Sequence, residues 1–398
     1  MASEEVDSQV LNSRLGTITQ TNHWIESTGE VVAYEPYVRE MRIWADLFQE
    51  VEIFTPLTAS PKKGSLSTYN RSNVFFRFVR YDTRVFRLGF VVRFLQLPIV
   101  FFQMAAFIWR HDFLLIRSPG HFSLLAHMLV VSLRKKSITK FAGYFGHFKG
   151  ERIPSIFERY IVRNWLGADN RVLVYGQYQQ PHLISFFPLL MSKKEKDEIF
   201  GGERIEDGRE NDLTGKLRVY SLGRLLPEKG FSLAIEGLAL LSQLTPATDW
   251  HYFIVGDGPE ESHLRRLACE LGVESKVSFI GSRPYMEAMR LLNFADVVLM
   301  PGEKEGWPKV VVEAWCAGAI PVCVSAGLLP TIIRHGENGF LFKASPEGLS
   351  QALIQVSALS PSEIRRLRYL GRTEAVQYTA DQFASGVADL VRGMQASQ

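Results

Sequence analysis

Apolar and polar positions change period along this chain in blocks that alternate between strand and helix. The blocks are sharpest in the second half. A short apolar run at Leu217 to Ser221 predicts a strand, helical spacing covers 228–243, and the series continues as strand 251–255, helix 259–271, strand 276–280 and helix 284–293. The run Val297-Val298-Leu299-Met300, bounded by Asp296 and Pro301-Gly302, predicts a buried strand that ends in a loop. Pro308 is placed for the first turn of a helix that Gly318 stops, and Ile320 to Val324 is a further strand. Strand, loop, helix and strand make one βαβ unit, whose loop lies where ligands bind in open α/β sheets. Two helices, about 346–358 and 361–394, close the chain.

The first half carries the same alternation more faintly. Residues 1 to about 22 look polar and weakly ordered, so the first strand is expected at Val31 to Tyr34. An amphipathic helix Tyr37 to Phe48 follows, then strand Val51 to Thr55 and strand Asn73 to Val79. Helical pattern runs from Thr83 to Arg110, followed by strand Phe113 to Ile116, helix Phe122 to Leu133, strand Ser137 to Phe141 and strand Val172 to Tyr175. Strands alternating with helices imply parallel sheets and an α/β class. The stretch Lys193 to Asp212 is charged, lacks an apolar face and contains Gly201-Gly202, as a linker would.

A chain of 398 residues exceeds one compact core and implies two domains. Its 46% hydrophobic and 22% charged residues are those of an ordinary folded protein. The net charge of +3 is unevenly spread. Lys62 to Arg163 holds 18 Lys/Arg and 4 Asp/Glu, an excess of 14, which leaves the rest at 3 − 14 = −11. This belt is interleaved with Phe and Trp, which suits an anionic membrane surface or a buried layer whose arginines reach water, and suits nucleic acid poorly. Cys269, Cys316 and Cys323 lack paired spacing, so they are expected as reduced thiols, and no metal quartet is available. The start MASEEVDSQVLNSR is not a signal peptide. Leu88 to Trp109 is broken by Arg93, Gln96, Pro98 and Gln103, so a buried or interfacial helix is expected rather than a span.

Candidate chemistry clusters around the sharpest blocks. Glu305 and Glu313 stand eight residues apart on the loop and helix of the βαβ unit, where carboxylates can accept from sugar hydroxyls. Each alone is as readily a solvated residue. The amides of Trp307 to Val311 open a helix and suit phosphate or polar oxygen. Arg224 and Lys229 flank the turn after Leu217–Ser221, where fixed cations would stabilise a departing diphosphate. Gly256-Asp257-Gly258 is no dinucleotide fingerprint, because Glu261 holds the third glycine's place; its small residues let a backbone or ligand approach.

The pattern EGWPKVVVEAWCAGAIPV, with Glu305 and Glu313 eight apart, resembles the signature of retaining glycosyltransferases of family 4. GRLLPEKG (223–230), FIVGDGPEESHL (253–264) and the Asp296 run agree, in that family's order. The resemblance is close over about 215–360. It implies a GT-B fold, two Rossmann-like domains facing a cleft. Residues 1–192 would be the acceptor-binding domain, 193–214 a charged linker, 215–375 the nucleotide-sugar domain, and 376–398 a helix packing back on the first domain.

The resemblance further implies a retaining hexosyltransferase that needs no metal and no cofactor. Its donor would be a nucleotide-diphosphate sugar, and its acceptor a saccharide or lipid-linked molecule of surface polysaccharide or glycolipid synthesis. No Asp-x-Asp pair is present to hold a metal. Arg224 and Lys229 take the diphosphate in such enzymes, Glu305 the transferred sugar and Glu313 the ribose. The backbone of Gly223, Gly256, Asp257 and Gly258 lies near the nucleotide, Arg283 near the base, and Gly306, Trp307, Pro308, Lys309 and Val310 around sugar and phosphate. Pro308 removes an amide where many members have glycine. In IRSPGHF, Arg117, Ser118 and His121 compete for the place of a cleft histidine, with His121 the catalytic candidate. The glycine-rich loop after the first strand is not found; Gly29 alone stands near the expected place. The implied location is cytoplasmic or peripheral on the inner face of the membrane. The alternative is an inactive nucleotide-sugar-binding protein or a membrane-surface scaffold.

Overall fold

The computed structural model describes residues 11–58, 66–79, 90–143, 145–146, 153–167, 169–176, 178–188, 190–200, 213, 216–303 and 306–396. The chain divides into two compact units, Met1–Leu189 with Phe383–Gln398, and Leu190–Gln382.

The first unit carries β1 (Leu11–Ile18), β2 (His23–Ile25), β3 (Val31–Tyr34), α1 (Glu35–Leu47), β4 (Phe48–Pro56), β5 (Leu66–Thr68), β6 (Val74–Val79), α2 (Phe90–Arg110), β7 (Phe113–Ser118), α3 (His121–Leu133), β8 (Ser137–Phe141), α4 (Ile153–Asn164), β9 (Asn170–Val174) and β10 (Leu183–Ser185). Seven strands form a parallel sheet in the order β10-β9-β8-β7-β1-β4-β6, while β2, β3 and β5 make a separate antiparallel sheet.

This corrects the reading of residues 1–22 as a weakly ordered start. β1 is an inner strand, with Leu15 opposite Phe113 on one side and Val51 on the other. Its signal is diluted because Ser13, Gly16 and Thr17 are buried although small or polar. A Cβ at Gly16 would lie 2.7 Å from the His111 ring, so glycine there lets α2 sit close. Val31–Tyr34 belongs to the small sheet and does not open the large one. Helix α4 and strand β10 have no counterpart in the sequence reading.

Helices α2, α3 and α4 bury Met104, Phe107, Ala126, Val130 and Val162 in one cluster with Ile18, Phe54, Leu114 and Ile116 of the sheet. Residues 80–89, the middle of the basic belt with Arg84 and Arg87, lie outside the described residues.

The second unit begins at α5 (Lys193–Phe200), so the first eight residues of the expected linker are helical. Ile199 supplies the reason: its side chain is buried, and its carbonyl accepts from Asn293 Nδ2 at 2.8 Å. Residues 201–212 lie outside the described residues. There follow β11 (Leu217–Leu222), α6 (Phe231–Leu244), β12 (Trp250–Val255), α7 (Glu261–Glu270), β13 (Val277–Gly281), α8 (Tyr285–Leu292), β14 (Val297–Met300), α9 (Lys309–Ala317), β15 (Ile320–Val324), α10 (Leu329–Ile332), β16 (Phe340–Phe342), α11 (Pro346–Ser357), α12 (Pro361–Ala375) and α13 (Ala380–Ala396).

Six parallel strands lie in the order β13-β12-β11-β14-β15-β16. Asp296 ties the two central strands. Its carboxylate accepts from the Arg218 guanidinium at 2.8 and 3.0 Å and from the Arg218 amide at 2.9 Å. The expected helix 361–394 is two helices, because Thr379 is extended and its hydroxyl accepts from the Gln382 amide, starting α13 afresh. Residues of α13 from Phe383 on belong to the first unit, where Phe383 packs on Phe186.

Candidate active site

In the second unit the strand order reverses between β11 and β14, so the loops that leave their carboxyl ends lie side by side. Backbone locks the loops together. Gly223 and Leu225 donate to the carbonyls of Val255 and Asp257, at 3.0 and 2.8 Å, and Gly256 donates to Gly281 at 3.0 Å. Gly256 has φ +151°, and a Cβ there would lie 1.9 Å from the Gly223 oxygen; one at Gly258 would lie 2.4 Å from that of Leu225. Gly230, at φ +71°, faces the Pro301 carbonyl, where a Cβ would come to 2.5 Å. No side chain fits these crossings without parting the loops.

The interlock presents Arg224, exposed just past Gly223, and half-buried Lys229, which ends a short turn Pro227–Lys229. Asp257 contributes its carbonyl to the lock. Arg283 is exposed and donates to the Ser282 carbonyl at 3.0 Å, folded on its own loop.

Around α9 the structure changes the expectation. Pro308 is the residue before the helix rather than its first turn, and it is buried. The amides of Lys309 and Val311 donate to the carbonyls of Trp307 and Pro308, at 2.9 and 3.0 Å, so two of the expected ligand amides are committed locally. The Trp307 ring packs edge-on to Tyr378 at 5.0 Å. Gly306 and Val310 are half-buried beside them. Glu313 is buried, and its Oε1 accepts from the Tyr285 hydroxyl at 3.1 Å. Glu305 lies outside the described residues. Burial pushes the neighbouring Cys316 thiol up to about 12, which keeps it protonated.

The carboxyl ends of the first unit's strands hold a second constellation that motif reading missed. Glu40 of α1 is buried, with Arg117 donating to Oε1 at 2.9 Å and Lys140 to Oε2 at 2.6 Å. Burial alone would raise the Glu40 carboxyl, yet Arg117 and Lys140 hold it at about 2. Arg117 also stacks over Tyr37 at 4.7 Å. Arg117 is thus a member of an ion-paired cluster, and Ser118 is buried. His121 is the exposed first residue of α3. With the Gln20 carboxamide oxygen turned to α3, it accepts from the amides of His121 and Phe122, at 2.7 and 3.0 Å. The loop after β1 therefore approaches this helix through Gln20 and not through a run of glycines.

Beneath it, His127 and Glu158 are buried with Nδ1 and Oε1 3.6 Å apart; burial lowers His127 to about 3 and raises Glu158. Separations of 77 and 100 residues from Glu40 to its partners leave no local motif to read. Among the described residues no three His, Cys, Asp or Glu side chains stand together to hold a metal, and no helix is long and apolar enough to cross a membrane.

Two parallel α/β sheets, the second with its loops meeting at a switch point, define a Rossmann-like pair, and comparison gives the pair its class. HepE of Anabaena, in a crystal structure with UDP and glucose, matches with TM-score 0.65 and 16% identity over 96% of this chain and all of that one. The fold is GT-B. Residues 203–372 match the family model "Glycosyl transferases group 1".

Over 146 residues the chain is 33% identical to the amylovoran biosynthesis glycosyltransferase AmsK of Erwinia amylovora, which is 35% of each protein. Over 145 it is 32% identical to the lipopolysaccharide core biosynthesis glycosyltransferase LpsE of Rhizobium meliloti, 35% of this chain and 39% of that one. The matches thus span between a third and two-fifths of these relatives' length.

Proposed function

We propose that this protein is a glycosyltransferase that moves a hexose, with retention at the anomeric carbon, from a nucleotide-diphosphate sugar to a saccharide or lipid-linked acceptor. Surface polysaccharide or glycolipid synthesis is the setting that AmsK and LpsE suggest. The observation that carries the reading is the glycine-locked meeting of the loops after β11, β12 and β14, with Arg224 and Lys229 beside it. Their charge would stabilise the diphosphate as the glycosidic bond breaks, more in the transition state than before it.

In this reading Glu305 attends the transferred sugar and Glu313 the ribose, the latter held by Tyr285. No metal is required, because the two cations offset the diphosphate charge. Acceptor choice falls to the first unit, with Arg117, Ser118 and His121 as its candidates. A cytoplasmic place, on the inner membrane face where the acceptor is lipid-linked, belongs to the same reading. An inactive nucleotide-sugar-binding protein is the lesser reading, since the Arg224, Lys229, Glu305 and Glu313 set is complete.

The test is thermal unfolding against UDP, GDP, ADP and dTDP and their sugars, with UDP first because HepE was solved with it. A ligand at about a hundred times its Kd stabilises by about 2.7 kcal/mol. A shift selective for one base, insensitive to EDTA and lost in Arg224→Ala, is the expected result. A shift abolished by EDTA would overturn the metal-free assignment, and no shift with any nucleotide would overturn the whole reading.

A further inference from the structure

Helix α4 carries apolar side chains on its outer face as well as on the inner one, where Ile161 and Val162 are buried. Its inward positions include Glu158 and Arg159, both buried; Glu158 accepts from the Gly120 amide at 2.9 Å and Arg159 donates to the Gly146 carbonyl at 2.8 Å. Its outward positions are Ile153, Ile156, Phe157 and Tyr160, spaced three and four apart along one stripe. Ile153 is 80% exposed and Tyr160 54%. Trp165, just past the helix, packs edge-on to both Phe157 and Tyr160 at 6.3 Å, so the exposed rings form one preassembled cluster. A helix that sends its charges inward and its aromatics outward has an apolar face that water does not favour.

The neighbouring helices extend this face. α3 packs between α2 and α4, and α2 presents Phe102 and Trp109, 70% and 69% exposed, outward from the same layer. The charge around them is one-sided. Among the described residues of 98–170, Arg110 and Arg134 are exposed and Lys135, Lys136 and Arg163 half-buried, against two exposed acids, Asp112 and Asp169. Lys135 lies over the Trp109 ring at 5.7 Å.

We infer that the outer face of α4, continued by α2, docks on an anionic lipid bilayer, with Phe157, Tyr160 and Trp165 in the headgroup region and the surrounding Arg and Lys on the lipid charge. Tyr and Trp favour this depth because one end of each ring system is apolar and the other polar. Flanking cations that outnumber the acids add an attraction that a neutral protein partner would not repay. The inference deepens the proposed function and rests on its membrane-side acceptor. It narrows the basic belt Lys62 to Arg163 to a surface centred on α4.

Cosedimentation of the full chain with vesicles tests it, using phosphatidylcholine alone and phosphatidylcholine with about a third phosphatidylglycerol. The chain should sediment with the anionic vesicles, and added salt should weaken this. Replacing Phe157 and Trp165 together by Ser should weaken binding about tenfold. Both residues belong to the first unit and neither is among the candidate donor residues, so the donor thermal shift should stay unchanged and certify the fold. A wild-type chain left in the supernatant with anionic vesicles overturns the inference, as does a double variant that binds like wild type. A dimer in free solution that the double variant makes monomeric, without vesicle binding, reassigns the face to a second copy and overturns it too. Vesicle binding without any donor shift would instead overturn the transferase reading and leave the surface standing.

Discussion

The two units solve the same problem, a polar site at the carboxyl end of a parallel sheet, by different means. In the second unit backbone does the building: glycines let three loops interlock, and cations are set on the result. In the first unit side chains do it, through charges buried between Glu40, Arg117 and Lys140. Backbone tolerates no side chain at a crossing, so the first kind of site leaves glycines at fixed local spacing. A buried ion cluster needs only complementary charge at positions the fold brings together, so the second kind leaves no local trace. The difference also predicts opposite weaknesses. One site should fail by steric intrusion and the other by loss of charge balance.

The largest effect should come from unbalancing the cluster. Glu40→Gln leaves Arg117 and Lys140 facing each other in a buried place, and breaking a buried pair from one side costs about 4 kcal/mol. The urea midpoint of the first unit should fall accordingly. Replacing Glu40, Arg117 and Lys140 together by Leu, Met and Met should cost much less than the sum of the single changes, since no charge is then left buried without its partner. Additive costs would show that the three groups do not act as one.

That asymmetry explains what was legible. Most of the strand and helix series of the second unit followed from apolar blocks, α10 and β16 apart, and the clearest blocks were β14 and β15, which are buried throughout. The loops after β11 and β12 followed from GRLLPEKG and GDG. What failed in that unit depended on tertiary detail: the Lys309 and Val311 amides turn to their own loop, and Ile199 makes a helix of a charged stretch. In the first unit β1 was missed because its buried residues include Ser13, Gly16 and Thr17, which reads as polar chain until the neighbouring strands and α2 are present. Helix α4 was missed because its apolar side chains are split between an outer and an inner face, and the inner face also buries Glu158 and Arg159.

The next effect sharpens the comparison from the other side. Gly256→Ala would place a methyl 1.9 Å from the Gly223 oxygen, at a φ of +151° that L residues rarely adopt. The loops must part, at about 3 kcal/mol, and the donor thermal shift should vanish with them. Gly272 supplies the control, since its φ is +66° but nothing stands within 4 Å of its Cβ site. Gly272→Ala should cost only the backbone strain, about 1 kcal/mol, and leave the donor shift intact. Equal costs at the two positions would show that the interlock contributes nothing beyond φ.

The smallest effect is a difference in acid sensitivity. His23 of β2 is buried, its Nδ1 2.8 Å from the Thr21 carbonyl and its Nε2 2.5 Å from the Tyr69 hydroxyl, and burial lowers it to about 4. His127, in the same unit, is lowered to about 3 by the same cause. A histidine lowered in this way takes up its proton on unfolding. The stability it gives is full above its unfolded value near 6.5 and is lost as pH falls toward the folded value. Glu40, held at about 2, loses its own contribution only below about 4.5, and Glu158, raised by burial, gains rather than loses as pH falls, so the loss between 6.5 and 4.5 comes from the histidines. At pH 5.5 each should cost about 1 kcal/mol. Hydrogen-exchange protection factors should therefore fall in β1 and β4 between pH 7 and 5.5 more than in β11 and β14. His23→Asn, which cannot titrate, should remove about half of that fall. An equal fall in both units would show that acid acts on the chain as a whole, and that the buried side-chain network does not set the first unit apart.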